Sequence, residues 1–288
     1  MRTNLISFVS GWLPGNWLIP DPSLMWLSAL AIGIILSLRF ARRDGLDLKI
    51  MTHAGLLSIL GGLWGGHLME VLATPRLFLQ DPLVLFRIME GGKAIIGAIL
   101  GGTLLALIFL YWKKASILNY VDTAMPAIAL SYAIGRLGCF LNGCCFGVRS
   151  DLPWAVKFPE HTFAYYVHWG KGWLNSDDVL SLAVHPTQLY HAIGGFMLFL
   201  VLHRFKPRWS GGRLVLGLAG YGFLRFFLQL VRGDRTPIIG ILDINQILSL
   251  IFVLIAGLLW WRFRRKQTLS GRAIPASPTA DAMQLQRM

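Results

Sequence analysis

Seven long apolar runs, divided by short polar or basic stretches, organise this chain. They lie at residues 20–38, 51–72, 94–112, 119–138, 186–204, 213–231 and 243–261. Each is of the length, roughly 17–23 residues, that a helix needs to cross a hydrocarbon core. The pattern predicts an all-α polytopic membrane protein with about seven transmembrane helices. Residues 4–19 are also apolar, but Gly11, Pro14 and Gly15 break them. That segment reads as an interfacial stretch or a poor span. It lacks the compact basic start, clean apolar centre and small-residue cleavage site of a signal peptide.

Composition agrees with the pattern. Of 288 residues, 55% are hydrophobic and only 14% charged, and the mean hydropathy is +0.57. This excludes an ordinary soluble core. The net charge of +13 matters mainly through its placement. Basic clusters recur at Arg39, Arg42, Arg43 and Lys49, at Lys113 and Lys114, at Arg204, Lys206, Arg208 and Arg213, and at Arg262, Arg264, Arg265 and Lys266. Alternate loops are poorer in them, so the positive-inside rule predicts a cytoplasmic C-terminus and an outer N-terminus. Because the charges flank spans and form no single face, nucleic acid is not an expected partner. No internal repeat stands out.

Two outer loops are long. Residues 73–92 contain Pro75 and Pro82 and predict a re-entrant or interfacial piece. Residues 148–184 mix Trp154, Tyr165, Tyr166, Trp169 and Trp173 with four acids. Aromatic belts favour the bilayer boundary, so this segment reads as a small exterior cap, or simply as belt aromatics. Glycines four apart, Gly61 and Gly65, Gly62 and Gly66, Gly97 and Gly101, mainly signal close helix packing in lipid. The chain therefore divides into a transmembrane domain over 1–266 and a polar, disordered cytoplasmic tail over 267–288.

Against this background two cations stand out. Arg136 ends the apolar helix that includes 124–134, and Arg225 interrupts the run 217–228. An intramembrane arginine is expensive unless it meets a wet cavity or an anion. Two of them predict a bound anion, and in lipid the abundant one is a phosphate head group, which the guanidinium fork holds bidentately. Arg232 is seven residues after Arg225 and is expected on the same helix face. Asp122 is 14 residues before Arg136. It either orients the arginine or binds substrate hydroxyls, or it caps its own helix.

Further candidates surround this core. His185-Pro186-Thr187-Gln188-Leu189-Tyr190 opens the fifth span. Pro186 suits a helix first turn. Gln188 and Tyr190 supply neutral hydrogen-bonding groups. His185 is a candidate general base or a polar anchor at the boundary. Three cysteines, Cys139, Cys144 and Cys145, are too few and too local for a disulfide scaffold. They read as a reactive thiol, a redox pair or soft-metal ligands, or as small packing residues.

These residues, in this order, resemble the prolipoprotein diacylglyceryl transferase family, from about Ser23 to Trp261. The family signature looks like Gly-Arg-hydrophobic-Gly-Asn-Phe-x-Asn-x-Glu-x-x-Gly, and Gly135, Arg136, Gly138, Phe140, Asn142 and Gly147 match it. Asp122 keeps the family's spacing to the arginine. The segment 185–190 resembles the family's His/Arg-Pro-Ser/Thr-Gln-Leu-Tyr-Glu. Tyr221-Gly222-Phe223-Leu224-Arg225, followed by Arg232, resembles its second arginine helix, and Asn245-Gln246-Ile247-Leu248-Ser249 the opening of its last span. The resemblance implies a seven-span bacterial inner-membrane enzyme without metal or organic cofactor. It would transfer the diacylglyceryl group of phosphatidylglycerol to the cysteine thiol of a lipoprotein precursor. Arg136, Arg225 and His185 would be catalytic, and Asp122, Asn142, Gly147, Gln188, Tyr190 and Arg232 would bind substrate.

The chain departs from the family pattern at several places. Ile96 stands where a functional histidine is expected. Cys139 replaces an asparagine, Cys144 an acid, Gln229 a glutamate and His191 a further acid. The tyrosine expected in the first span is not evident near Met25 and Trp26. His185, His191 and Lys93 are the candidates to replace the missing base. Two other readings follow: a non-catalytic phospholipid-binding accessory protein on the same scaffold, and a membrane thiol oxidoreductase using the three cysteines.

Overall fold

A computed structural model describes residues 22–86, 95–207, 209–233, 235, 237–239 and 242–271. The apolar runs are helices: α1 (Pro22–Arg43), α2 (Leu48–Ala73), α4 (Ile95–Trp112), α5 (Ile117–Asn142), α7 (Thr187–Arg204), α8 (Gly212–Leu230) and α9 (Ile244–Gly271). Two short helices, α3 (Pro75–Gln80) and α6 (Phe163–Gly170), lie between them. Among the described residues five helices are long and apolar enough to cross a membrane, and the apolar stretch Ile96–Trp112 is shorter. Large hydrophobics stay exposed on them, among them Leu60, Leu104, Ile108 and Leu254. A soluble protein would not leave such a surface to water. The architecture is that of a polytopic membrane protein.

Helix ends follow local chemistry. Asp47 caps α2, its carboxylate accepting from the Lys49 and Ile50 amides. Gly143, at φ 67°, ends α5 in the left-handed conformation that glycine adopts cheaply. Asp243 and Gln246 cap α9 reciprocally. The Gln246 amide donates to Asp243 Oδ1 at 3.0 Å, and the Asp243 amide donates to Gln246 Oε1 at 3.3 Å.

Helix α5 is the central post, with α1, α7 and α8 packed on it, and α9 on α8. Among the described residues the pair α2–α4 forms the most extensive contact between helices. Its glycines interlock: a Cβ on Gly65 would strike the Gly97 carbonyl oxygen, and one on Gly101 the Gly61 carbonyl oxygen. The small-residue spacings therefore serve packing.

Residues 148–184 fold into a cap on the end of α5. Phe140 of α5 joins Phe146, Val156, Phe158, Ala164 and Val184 in one buried cluster. Isolated bridges, Val156 with Val184 and Pro159 with Leu180, tie the cap together. The loop 73–92 holds α3 and a 3-10 turn at Pro82–Phe86, tied to α2 where His67 Nε2 meets the Val84 carbonyl at 2.7 Å. A short antiparallel pair, β1 (Pro237–Ile239) with β2 (Leu242–Asp243), leads into α9.

Two expectations need correction. Helix α8 ends at Leu230, so Arg232 does not share a helix face with Arg225. It lies beyond the helix, bridged to Gly147. Helix α9 runs to Gly271, so the first residues expected in the tail continue the helix. Residues 272–288, the broken apolar segment 4–19, and Lys93 lie outside the described residues.

Candidate active site

Arg136 is in the last turns of α5 and is 6% exposed. Its guanidinium lies over the ring of Tyr132, 4.9 Å from the centroid, one helical turn earlier. Arg225 of α8 repeats the arrangement. Its Nη1 donates to the hydroxyl of Tyr221, again four residues earlier, at 3.3 Å, and its Nη2 donates to Asn245 Oδ1 of α9 at 2.6 Å. The two tyrosine rings meet edge to face at 5.2 Å. Two helices thus bring their cations to one aromatic pair. Among the described residues neither Arg136 nor Arg225 forms an ion pair. Neutral groups hold them and leave their charge for an anion.

His191 sits in the same place. It is fully buried on α7, and its Nδ1 is 2.7 Å from the Tyr132 hydroxyl. Its Nε2 is buried and has no hydrogen-bond partner among the described residues.

Arg232 is 8% exposed and reaches the site from the segment after α8. Backbone contacts fix that segment. The Gly233 amide donates to the Phe146 carbonyl at 3.0 Å, and the Val148 amide to the Val231 carbonyl at 2.9 Å. Gly147 makes this approach possible. A Cβ there would collide with His185 and Thr187, and one on Gly233 with the Gly147 carbonyl oxygen.

Gln188 and Thr187 hold the turn after α5 from the other side. Gln188 Nε2 donates to the Cys144 carbonyl at 2.8 Å and Thr187 Oγ1 to the Cys145 carbonyl at 2.6 Å. Asn142 is exposed at the end of α5. His185 and Tyr190 belong to the cap side: His185 Nδ1 is 3.2 Å from the Tyr190 hydroxyl, which accepts from Trp154 Nε1 at 2.8 Å.

Asp122 is not brought to the arginines. Its 14-residue separation from Arg136 on one continuous helix is about 21 Å of rise. Its carboxylate instead accepts from the Leu214 amide at 2.8 Å, at the positive end of α8. It caps a neighbouring helix and not its own. At that same end Asp44 accepts from Thr123 Oγ1 at 2.9 Å and pairs with Arg213 at 3.4 Å.

The family model for prolipoprotein diacylglyceryl transferase matches residues 18–262. The chain belongs to the prolipoprotein diacylglyceryl transferase family. Its relatives include a phosphatidylglycerol–prolipoprotein diacylglyceryl transferase of Clostridium tetani, 31% identical over 251 residues, covering 85% of this chain and 93% of the relative. One from Paraburkholderia xenovorans is 32% identical over 274 residues, covering 88% and 90%. Transferase 2 of Clostridium perfringens is 28% identical over 249 residues, covering 84% and 90%.

Gln229, where a glutamate is expected, donates from Nε2 to Asp243 Oδ2 at 2.7 Å. Asp243 also pairs with Arg235 Nε at 3.6 Å. A carboxylate is therefore present beside position 229, supplied by the start of α9. Ile96 lies in the first turn of α4 and carries no titratable group. His191, one of the three candidate bases, and Tyr132, which carried no expectation, both lie at the centre. Sequence signals mark both. Tyr-x-x-x-Arg occurs at 132–136 and again at 221–225, and Thr187, Gln188, His191, Ala192 and Gly195 follow a helical period of burial.

Proposed function

We propose that this chain transfers the diacylglyceryl group of phosphatidylglycerol to the cysteine thiol of a lipoprotein precursor. The observation that carries this reading is the pair of arginines, Arg136 and Arg225, held by neutral groups around one tyrosine pair. The names of its relatives indicate the same two substrates. The helices cross the bacterial inner membrane seven times, with the N-terminus outside, the C-terminus cytoplasmic, and the cap over 148–184 on the outer face. The basic loop clusters support that orientation.

In this mechanism the arginines take the lipid phosphate. The substrate thiolate attacks the terminal glyceryl carbon of the diacylglyceryl group. A carbon–sulfur bond forms as the carbon–oxygen bond to phosphate breaks. Glycerol-1-phosphate leaves, and the guanidiniums stabilise the charge that gathers on it. The thiol proton passes to His185 on the cap side, while Tyr132 holds the buried His191 imidazole. Arg232, bridged to Gly147, adds positive charge beside the turn after α5. Gln188, Thr187 and Gly147 position the turn that closes the site.

One observation favours a second reading, phospholipid binding without turnover: Ile96 occupies the place of the expected histidine. The test is purified protein in nanodiscs with phosphatidylglycerol and a lipobox peptide, following glycerol phosphate release and peptide mass together. Release matched by a diacylglyceryl mass gain establishes the transferase. Lipid binding with neither product establishes the second reading.

A further inference from the structure

The three cysteines lie beside the arginines, yet the transferase chemistry does not use them. Their sulfurs all lie within 4.8 Å of one another. The fold gathers them deliberately. Cys139 is in the last turn of α5, and the left-handed Gly143 turns the chain back on it, with the Cys144 amide donating to the Cys139 carbonyl at 3.2 Å. Cys145 follows in a left-handed conformation, at φ 61°, which a residue with a Cβ adopts at a cost. Gln188 and Thr187 then pin the carbonyls of Cys144 and Cys145. All three thiols are free.

We propose that Cys139, Cys144 and Cys145 form a three-thiolate site for a soft monovalent cation, with Cu(I) as the fitting ion. Metal–sulfur bonds near 2.3 Å place three sulfurs roughly 4 Å apart in a trigonal site. Sulfurs all within 4.8 Å of one another suit that spacing. Thiolates select soft ions such as Cu(I) over hard ones. Among the described residues no histidine or carboxylate joins this group, and structural zinc almost always takes four ligands. Charge fits as well. A monovalent cation held by three thiolates leaves two net negative charges. Arg136, three residues before Cys139 on α5, and Arg232, bridged to Gly147 two residues after Cys145, are the neighbouring cations that offset that charge. The thiol protons leave to solvent as the metal binds.

Metal capture itself does not depend on the transferase chemistry. Its consequence does, since it rests on the arginines holding lipid phosphate: the loaded site is then a competing anion, and Cu(I) slows transfer.

The test uses the full chain in detergent, anaerobic and reduced, titrated with Cu(I) against a chromogenic Cu(I) chelator. One equivalent of Cu(I) should be withheld from the chelator, and it should protect all three thiols from alkylation, read by peptide mass. Cys139→Ser, Cys144→Ser and Cys145→Ser should each weaken capture beyond the roughly 10–100-fold that losing a supporting hydrogen-bond partner costs a metal site. Thermal unfolding of each variant separates loss of the site from loss of the fold. No retention of Cu(I) by the wild-type chain, no thiol protection, or folded variants that bind as the wild type does would each overturn the proposal. Preferential capture of Zn(II) would overturn the trigonal assignment. If Cu(I) binds and transfer in the wild type is unaffected, the site stands and the phosphate role of the arginines fails.

Discussion

Tyr132 and Tyr221 meet edge to face, ring centroids 5.2 Å apart, and each steadies the arginine one turn further along its own helix. Edge-to-face rings in a packed site hold their geometry well. The pair therefore fixes the spacing of the two guanidiniums. Tyr221→Phe keeps the ring and removes only the hydroxyl that accepts from Arg225. Hydrogen bonds to charged groups contribute about 1.5–3 kcal/mol, so kcat/KM should fall roughly tenfold or more. Tyr221→Ala should fall further, because the ring pair is lost. Steady-state glycerol phosphate release on both variants checks this, and equal losses would leave the ring pair without a role.

His185 is assigned the proton. His185→Asn should lower transfer by about 10²–10⁴-fold, the range for losing a positioned base. His191 is fully buried against Tyr132, so His191→Gln, which keeps a hydrogen-bonding side chain there, should cost less. A larger loss of transfer in folded His191→Gln than in His185→Asn would move the base to His191.

Asp122 has a structural task. Asp122→Ala removes the carboxylate at the start of α8 and should cost about 1 kcal/mol, the usual value of a lost cap. The melting temperature should drop while kcat per folded molecule stays near wild type. A selective loss of kcat with unchanged stability would instead return Asp122 to the chemistry.

The cap should be acid-sensitive through His168. This side chain is 1% exposed, and its Nδ1 accepts from the Leu182 amide at 3.2 Å. Burial, with Lys171 and Arg149 nearby, pushes its pKa below the ordinary histidine value. A histidine whose folded pKa is depressed favours the folded cap while it is neutral. That stabilisation is complete above the unfolded pKa of about 6.5 and declines as pH falls from there towards the folded value. Limited proteolysis within 148–184 should accelerate below about pH 6.5, and His168→Gln should flatten the dependence. Identical pH dependence in both proteins would remove His168 as the cause.

The helices were legible because lipid demands long apolar runs, and the seven runs end within a few residues of the helices in all but α9 and the ends of α1 and α5. Helices α1 and α9 extend further because basic or polar residues continue the helix past the apolar stretch, and α5 because Cys139, Phe140 and Leu141 carry it on to the Gly143 cap. Arg136 and Arg225 were legible because a cation inside an apolar run has no cheap explanation. Tyr132 and Tyr221 were not, since an aromatic in such a run ordinarily means packing; only the repeated four-residue spacing to arginine marks them. Arg232 was placed by helical spacing on a face it does not occupy, because the helix stops at Leu230. His185 and His191 are both candidate bases in the sequence; the burial period of α7 turns His191 inward, onto Tyr132. Asp122 keeps the family's sequence spacing to Arg136, but 14 residues along one continuous helix separate the two side chains.

The most direct measurement is glycerol phosphate release from phosphatidylglycerol, coupled to peptide mass gain, in Arg136→Ala and Arg225→Ala beside the wild-type chain. Losing a donor that stabilises developing charge costs about 10²–10³-fold in rate. Each variant should lose at least that while still folded. Transfer at the wild-type rate in either folded variant would contradict the paired-arginine site.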